Sequence, residues 1–127
     1  MTVRFNHAIV AARDRHASAA FYAELFALPA PVTWGPFVSV ELEDGVVLQF
    51  AEPGVPDIQM QHYAFLVDDQ RFDAVYARLV QGAVPHWADP QGQRPDQINT
   101  HHGGRGVYFK DPAGHGLEVI TRPYGST

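Results

Sequence analysis

Hydrophobic and polar positions along the 127-residue chain change their period several times, and each change marks an element. VRFNHAIVA, residues 3–11, is rich in apolar and β-branched side chains and predicts a strand. Asp14 then offers an N-cap for a helix carrying Phe21, Tyr22, Leu25 and Phe26 on one side, which Pro29 and Pro31 end. In FVSVELEDGVVLQF, residues 37–50, Phe37, Ser39 and Glu41 alternate with Val38, Val40 and Leu42 before a turn at Asp44-Gly45 and an apolar return, which predicts a hairpin. AEPGVPD, residues 51–57, is a linker rich in Pro and Gly. QHYAFLVDD, residues 61–69, reads as a strand running into a second helix capped by Asp68 or Asp69. That helix carries Phe72, Val75, Tyr76, Leu79 and Val80 at i, i+3, i+4, i+7 and i+8, and Gly82 takes the C′ position. A short strand from Val84 to Trp87, a polar loop over 89–104 and a closing hairpin over 105–122 complete the pattern.

The pattern repeats. Each half runs βαβββ, so an α+β fold is expected: a single domain with module one at 1–52, a linker at 53–58 and module two at 59–122. Particular residues recur with the elements. His7 in the first strand matches His62, and Gln49 in VVLQF matches Glu118 in GLEVI. His7 and Gln49 are 42 residues apart and His62 and Glu118 are 56 apart; the difference fits the 89–104 loop, which the first half lacks.

Composition narrows the chemistry. Apolar residues make up 46% and charged residues 18%, the balance of a globular domain, and the net charge of -5 comes without basic runs, which disfavours nucleic-acid binding. No apolar run approaches the roughly 20 residues of a membrane span, so no membrane partner is expected. MTVRFNHAIVAARDRH lacks the apolar core of a signal peptide, and a cytoplasmic location is the expectation. Without cysteine there is no disulfide, thiolate nucleophile or cysteine zinc site, and chemistry rests on His, carboxylates, hydroxyls, amides, Arg and Lys.

The repeated positions carry that chemistry. Both strands read as buried on two sides, with His62 sharing a face with Ala64 and Leu66, and Glu118 one with Gly116 and Ile120. Polar groups so placed are costly unless paired, hydrogen-bonded or bound to metal. A lone histidine in an apolar strand is more often a satisfied core residue than a ligand, but here it recurs at its equivalent position. If the halves pack by pseudo-twofold symmetry, His7, His62 and Glu118 form a facial triad with open positions on a divalent metal, and Gln49 supplies a weaker fourth oxygen. His115 in DPAGH reads as a structural turn residue and His16 as solvated. His101 and His102 stand in the 89–104 loop; folded over a cavity as a lid, it would make them candidate acids or bases, against the plainer reading of an exposed polar loop. Tyr63, Tyr108, Phe37 and Trp34 are candidates to line a pocket, against the plainer reading of core aromatics.

The stretches NHAIVAARDRHASAAFYAELFALP, QHYAFLVDD and FKDPAGHGLEVI resemble the vicinal oxygen chelate superfamily, which includes glyoxalase I, extradiol dioxygenases and fosfomycin- and bleomycin-resistance proteins. The resemblance covers nearly the whole chain and is weakest over 30–36 and 85–104. Its most specific part is F-x-D-P-x-G-x-x-x-E, here Phe109, Asp111, Pro112, Gly114 and Glu118. It implies two βαβββ modules in a curved mixed sheet around a metal, completed as a homodimer. It puts the metal ligands on His7, His62 and Glu118; Gln49 falls where glyoxalase I has a fourth ligand that is often Glu, a departure that suits a three-ligand site. The implied cofactor is a divalent ion (Fe, Mn, Ni or Zn) and the implied substrate a small molecule that chelates it through neighbouring oxygens. With Fe(II) the expectation is dioxygenase chemistry; with Zn, Ni or Mn it is a glyoxalase-like lyase reaction in which Glu118 doubles as base. Thiol transfer to a phosphonate ranks lower, since its basic pocket would have to come from Arg94, Arg105 and Lys110. The non-enzymatic rival is a metal-free small-molecule binding protein of the bleomycin-resistance type, against which the intact His, His, Glu set argues.

Overall fold

In the computed structural model, which describes residues 2–127, each half of the chain forms a unit of one four-stranded mixed sheet and one α-helix. The first unit ends at Gln59 and contains β1 (His7–Ala11), α1 (Arg15–Phe26), β2 (Val32–Trp34), β3 (Phe37–Glu41) and β4 (Val47–Ala51). The second, Met60–Thr127, contains β5 (His62–Leu66), α2 (Asp69–Gln81), β6 (His86–Trp87), β7 (Gly106–Lys110) and β8 (Gly116–Ile120). Strand order is β1-β4-β3-β2 in one sheet and β5-β8-β7-β6 in the other, with β1–β4 and β5–β8 parallel. The α+β class and the double βαβββ order match the sequence pattern.

Register carries the repeat down to single residues. Gln49 lies opposite Ile9 of β1 and Ser39 of β3, and Glu118 lies opposite Ala64 of β5 and Tyr108 of β7. Ile9 and Ala64 each stand two positions beyond the histidine that heads their strand, so His7 and Gln49 are disposed within their sheet as His62 and Glu118 are within theirs.

Local chemistry sets most boundaries. The Asp14 carboxylate accepts from the N–H groups of His16 and Ala17 at 2.9 and 3.0 Å, and Asp68, rather than Asp69, caps α2 by accepting from Arg71 N–H at 2.7 Å. α1 stops at left-handed Ala27 (φ 53°), short of Pro29. α2 also departs from expectation: Gly82 has φ -83°, and the left-handed residue is Ala83 at φ 52°, after which Val84 N–H bonds back to Leu79 C=O. β1 begins at His7 rather than Val3, because β4, its parallel partner, begins only at Val47 after the turn through Asp44 (φ 62°) and Gly45 (φ 75°).

In the first unit Val38 and Val40, Leu48 and Phe50 turn inward with Tyr22 and Phe26 of α1, and the Tyr22 and Phe50 rings meet at 4.8 Å. In the second, Phe72, Val75 and Leu79 of α2 are buried along with Val107, Phe109, Leu117 and Val119, whereas Val80, expected in the apolar stripe, is 56% exposed. The 89–104 loop is tied to its own unit: Trp87 bridges Pro95, Asn99 bridges Gly106, and the buried Asn99 amide donates to Ala88 C=O at 2.8 Å. Among the described residues no helix is long and apolar enough to cross a membrane.

Candidate functional site

Glu118 occupies the middle of β8, an inner strand, and is only 2% exposed. Its carboxylate therefore needs partners, and three aromatic side chains of the same unit surround it. His62 presents Nε2 at 3.1 Å from Glu118 Oε1. The Tyr124 hydroxyl, from the segment after β8, donates across the carboxylate, 2.7 Å from each oxygen. Tyr108, opposite Glu118 on β7, stands near the His62 ring (centroids 6.2 Å apart, ring planes inclined by 28°) with its hydroxyl 3.4 Å from that of Tyr124.

The expectation that both repeat strands are buried on two sides is half corrected. Glu118 is buried, but the His62 side chain is 50% exposed and Leu66, on the same face, is 59% exposed. The reason is topological: β5 is the edge strand of its sheet and β8 is not. The desolvation argument therefore applies to the carboxylate, and the imidazole is one of the groups that answer it.

A buried carboxylate raises the cost of ionising its neighbours. Tyr108 is held protonated well above the ordinary phenol range, first by burial, then by its bond with Tyr124 and the Glu118 charge. At Tyr124 the bond to Tyr108 lowers the pKa, but the bond to Glu118, burial and the carboxylate charge outweigh it and the net shift is upward. Both phenols thus remain donors across the physiological range.

The spacing of His62 Nε2 and Glu118 Oε1 is compatible with a divalent ion as well as with the hydrogen bond they make. Imidazole nitrogen and carboxylate oxygen ligands bind such an ion at about 2.0–2.2 Å, and two of them at a right angle are about 3 Å apart, close to the 3.1 Å between His62 Nε2 and Glu118 Oε1. Among the described residues of this unit no third His, Asp or Glu completes a cluster. His7 and Gln49 belong to the other unit: His7 is exposed at the head of β1 with Nδ1 2.7 Å from Asn6 Oδ1, and Gln49 is half-buried in β4.

The remaining candidates sort by their contacts. His115 is structural, as expected: it is buried and its Nδ1 accepts from Gln61 N–H at 3.0 Å, immediately before His62. Tyr63 packs edge-on against His115 at 5.6 Å, on the face of β5 away from His62. His101 is exposed; His102 is half-buried, stacks on the Tyr124 ring at 4.5 Å and accepts at Nδ1 from Gly125 N–H at 3.1 Å. Arg105, suggested for a basic pocket, is instead held by Asp73 at 2.7 Å and Asp69 at 3.1 Å with its guanidinium over the Phe72 ring. Sequence reasoning missed Tyr124: it lies beyond the last strand, where no periodicity or spacing ties it to Glu118.

The model of the Glyoxalase/Bleomycin resistance protein/Dioxygenase superfamily matches residues 4–119. The chain belongs to this superfamily. Among curated proteins it is 29% identical over 121 residues to the metallothiol transferase FosB of Shouchella clausii (strain KSM-K16), covering 91% of this chain and 78% of that one. Among solved structures it is 50% identical to oxidase ChaP-H1, with a TM-score of 0.93 over 98% of this chain and 100% of that one. It is 48% identical to oxidase ChaP-H2, with a TM-score of 0.94 over 99% and 98%. These relatives are enzymes by name, a thiol transferase and two oxidases. Family membership bears out the resemblance read from FKDPAGHGLEVI and its companion stretches.

Proposed function

We propose that this protein is a metal-dependent oxidase acting on a small organic substrate that reaches the ion through two neighbouring oxygens, with dioxygen as oxidant. The observation that carries the reading is the His62 Nε2–Glu118 Oε1 contact at 3.1 Å, a hydrogen bond to a buried carboxylate whose length two ligands of one ion would also have. Likeness to two oxidases at about half identity supports oxidation over isomerisation or thiol transfer, and the engagement of Arg105 by two aspartates weakens the case for an anion-binding pocket there. The family resemblance adds His7, whose place in β1 repeats that of His62 in β5, as third ligand and the neutral amide of Gln49 as a weaker fourth donor, supplied by the same chain or by the partner of a dimer. When bound, the ion supplies Lewis acidity and open positions for substrate oxygens. Glu118 contributes a carboxylate held by β8, His62 an imidazole nitrogen on an exposed strand face open to an incoming ligand, and Tyr108 a protonated hydroxyl beside them. In this reading the enzyme is a homodimer, as the family resemblance implies.

The test is metal content and reaction together. Protein reconstituted anaerobically with Fe(II) is expected to retain the metal through gel filtration, and His62→Ala and Glu118→Gln to lose most of it. Oxygen uptake is expected with catechol-type substrates under Fe(II), with no consumption of a hemithioacetal under Ni or Zn. Equal trace metal in wild type and both variants rejects the metal site in favour of a small-molecule binding protein. Metal retention with hemithioacetal turnover and no oxygen uptake rejects the oxidase in favour of a lyase.

A further inference from the structure

In the segment after β8 the Tyr124 hydroxyl is laid across the carboxylate of Glu118. Because the Tyr124 oxygen is 2.7 Å from both Oε1 and Oε2, it lies between them on the open edge of the carboxylate. That edge is where a carboxylate receives a cation or a two-pronged donor. An ion on the same edge at about 2.0–2.2 Å would overlap the hydroxyl, so the two exclude each other there.

The tail is fastened by contacts that do not involve Glu118. The Tyr124 ring lies on the His102 imidazole, 4.5 Å away and tilted by 21°, and Gly125 N–H donates to His102 Nδ1 at 3.1 Å. Ser126 N–H closes a turn onto Pro123 C=O at 3.2 Å. A Cβ on Gly103, which has φ 75°, would stand 3.0 Å from the Thr127 carbonyl carbon, so a side chain there would push on the segment as it is seated. None of these contacts is a sheet pairing, and Tyr124 is 61% exposed, so the tail can lift without opening the core. A segment with an exposed ring and no sheet pairing is of the kind from which gating elements are drawn.

From this placement we propose that Pro123–Thr127 is an intramolecular latch: Tyr124 competes with the metal ion for Glu118, and loading the site lifts the tail from its seat on His102. The proposal rests on the reading of Glu118 as a metal ligand. A built-in competitor lowers apparent affinity by the fraction of molecules in which the site is free, so a chain lacking the hydroxyl should bind the ion more tightly while its ligands stay the same.

The experiment is titration of metal-free protein with Co(II), followed by visible absorption, and with Zn(II) against a chromophoric chelator. Wild type is compared with Tyr124→Phe, which keeps the ring on His102 and removes the hydroxyl, with a chain stopped after Arg122, and with Glu118→Gln. Tyr124→Phe and the shortened chain are expected to bind both ions about ten-fold or more tightly than wild type, given the strength of a hydrogen bond to a charged acceptor. Hydrogen exchange at the Gly125 amide is expected to accelerate when wild type takes up the ion. Unchanged affinity in both altered chains, with Glu118→Gln impaired, overturns the latch and leaves the metal site standing. Weaker binding by Tyr124→Phe also overturns it, since the hydroxyl would then be a support of the loaded site. Undiminished binding by Glu118→Gln removes the metal reading and the latch with it.

Discussion

Replacing Asp111 tests how the DPAGH turn supports the site. Asp111 is buried, and a single oxygen, Oδ1, accepts from Ala113 N–H and His115 N–H, both at 2.9 Å. The same turn is closed by Asp111 N–H on His115 C=O at 3.0 Å, and His115 in turn receives Gln61 N–H through Nδ1 at 3.0 Å. Asp111→Ala leaves two backbone donors of buried residues without an acceptor, each costing about 1–3 kcal/mol, so the expected loss is about 3–4 kcal/mol. For a chain of this length that corresponds to a fall in Tm of about 10–15 °C. Asp111→Asn keeps an oxygen at the Oδ1 position and loses only the charge, and should cost about 1 kcal/mol. Urea denaturation followed by far-UV circular dichroism measures both. A loss below about 1 kcal/mol in Asp111→Ala, or equal losses in the two variants, would refute the assignment of the stabilisation to these two bonds.

Two further outcomes follow from the backbone and from the phenols. Ala83→Gly should stabilise the protein by about 0.5–1 kcal/mol, because glycine adopts the φ of 52° without the steric cost a Cβ imposes; a lower urea midpoint would contradict this. Because burial, the bond with Tyr124 and the Glu118 charge raise the Tyr108 pKa above its ordinary 10.0, the folded state holds that proton more tightly than the unfolded chain. Its contribution to stability is full below the ordinary phenol value and is lost as pH rises through it toward the raised folded value, so the urea midpoint should fall as pH passes 10 and fall less steeply in Tyr108→Phe; identical slopes would count against it.

Local chemistry made much of the fold legible in the chain. Asp14 and Asp68 announce their helices because a cap bonds only N–H groups two or three residues away, and the alternation of Val38 and Val40 with Ser39 survives folding because strand side chains point to opposite faces by covalent geometry. The repeat was equally readable, and the register of Gln49 and Glu118 against β1 and β5 matches it. Other features depend on neighbours far along the chain. Whether His62 is covered follows from β5 being an edge strand; Arg105, one of the three residues a basic pocket would need, is drawn to two aspartates on α2. The left-handed residue after α2 is Ala83 rather than Gly82, since the return of Val84 N–H to Leu79 fixes where the chain must reverse. The Tyr124 hydroxyl finds Glu118 only because the tail folds back over His102 and Gly103. The sequence by itself determined the elements, their order, the family and the chemical character of His62 and Glu118, all of which depend on residue type and short-range spacing. The tertiary structure alone decided which faces meet solvent and what lies against the buried carboxylate, because accessibility and hydrogen-bond partners are set by residues that only folding brings together.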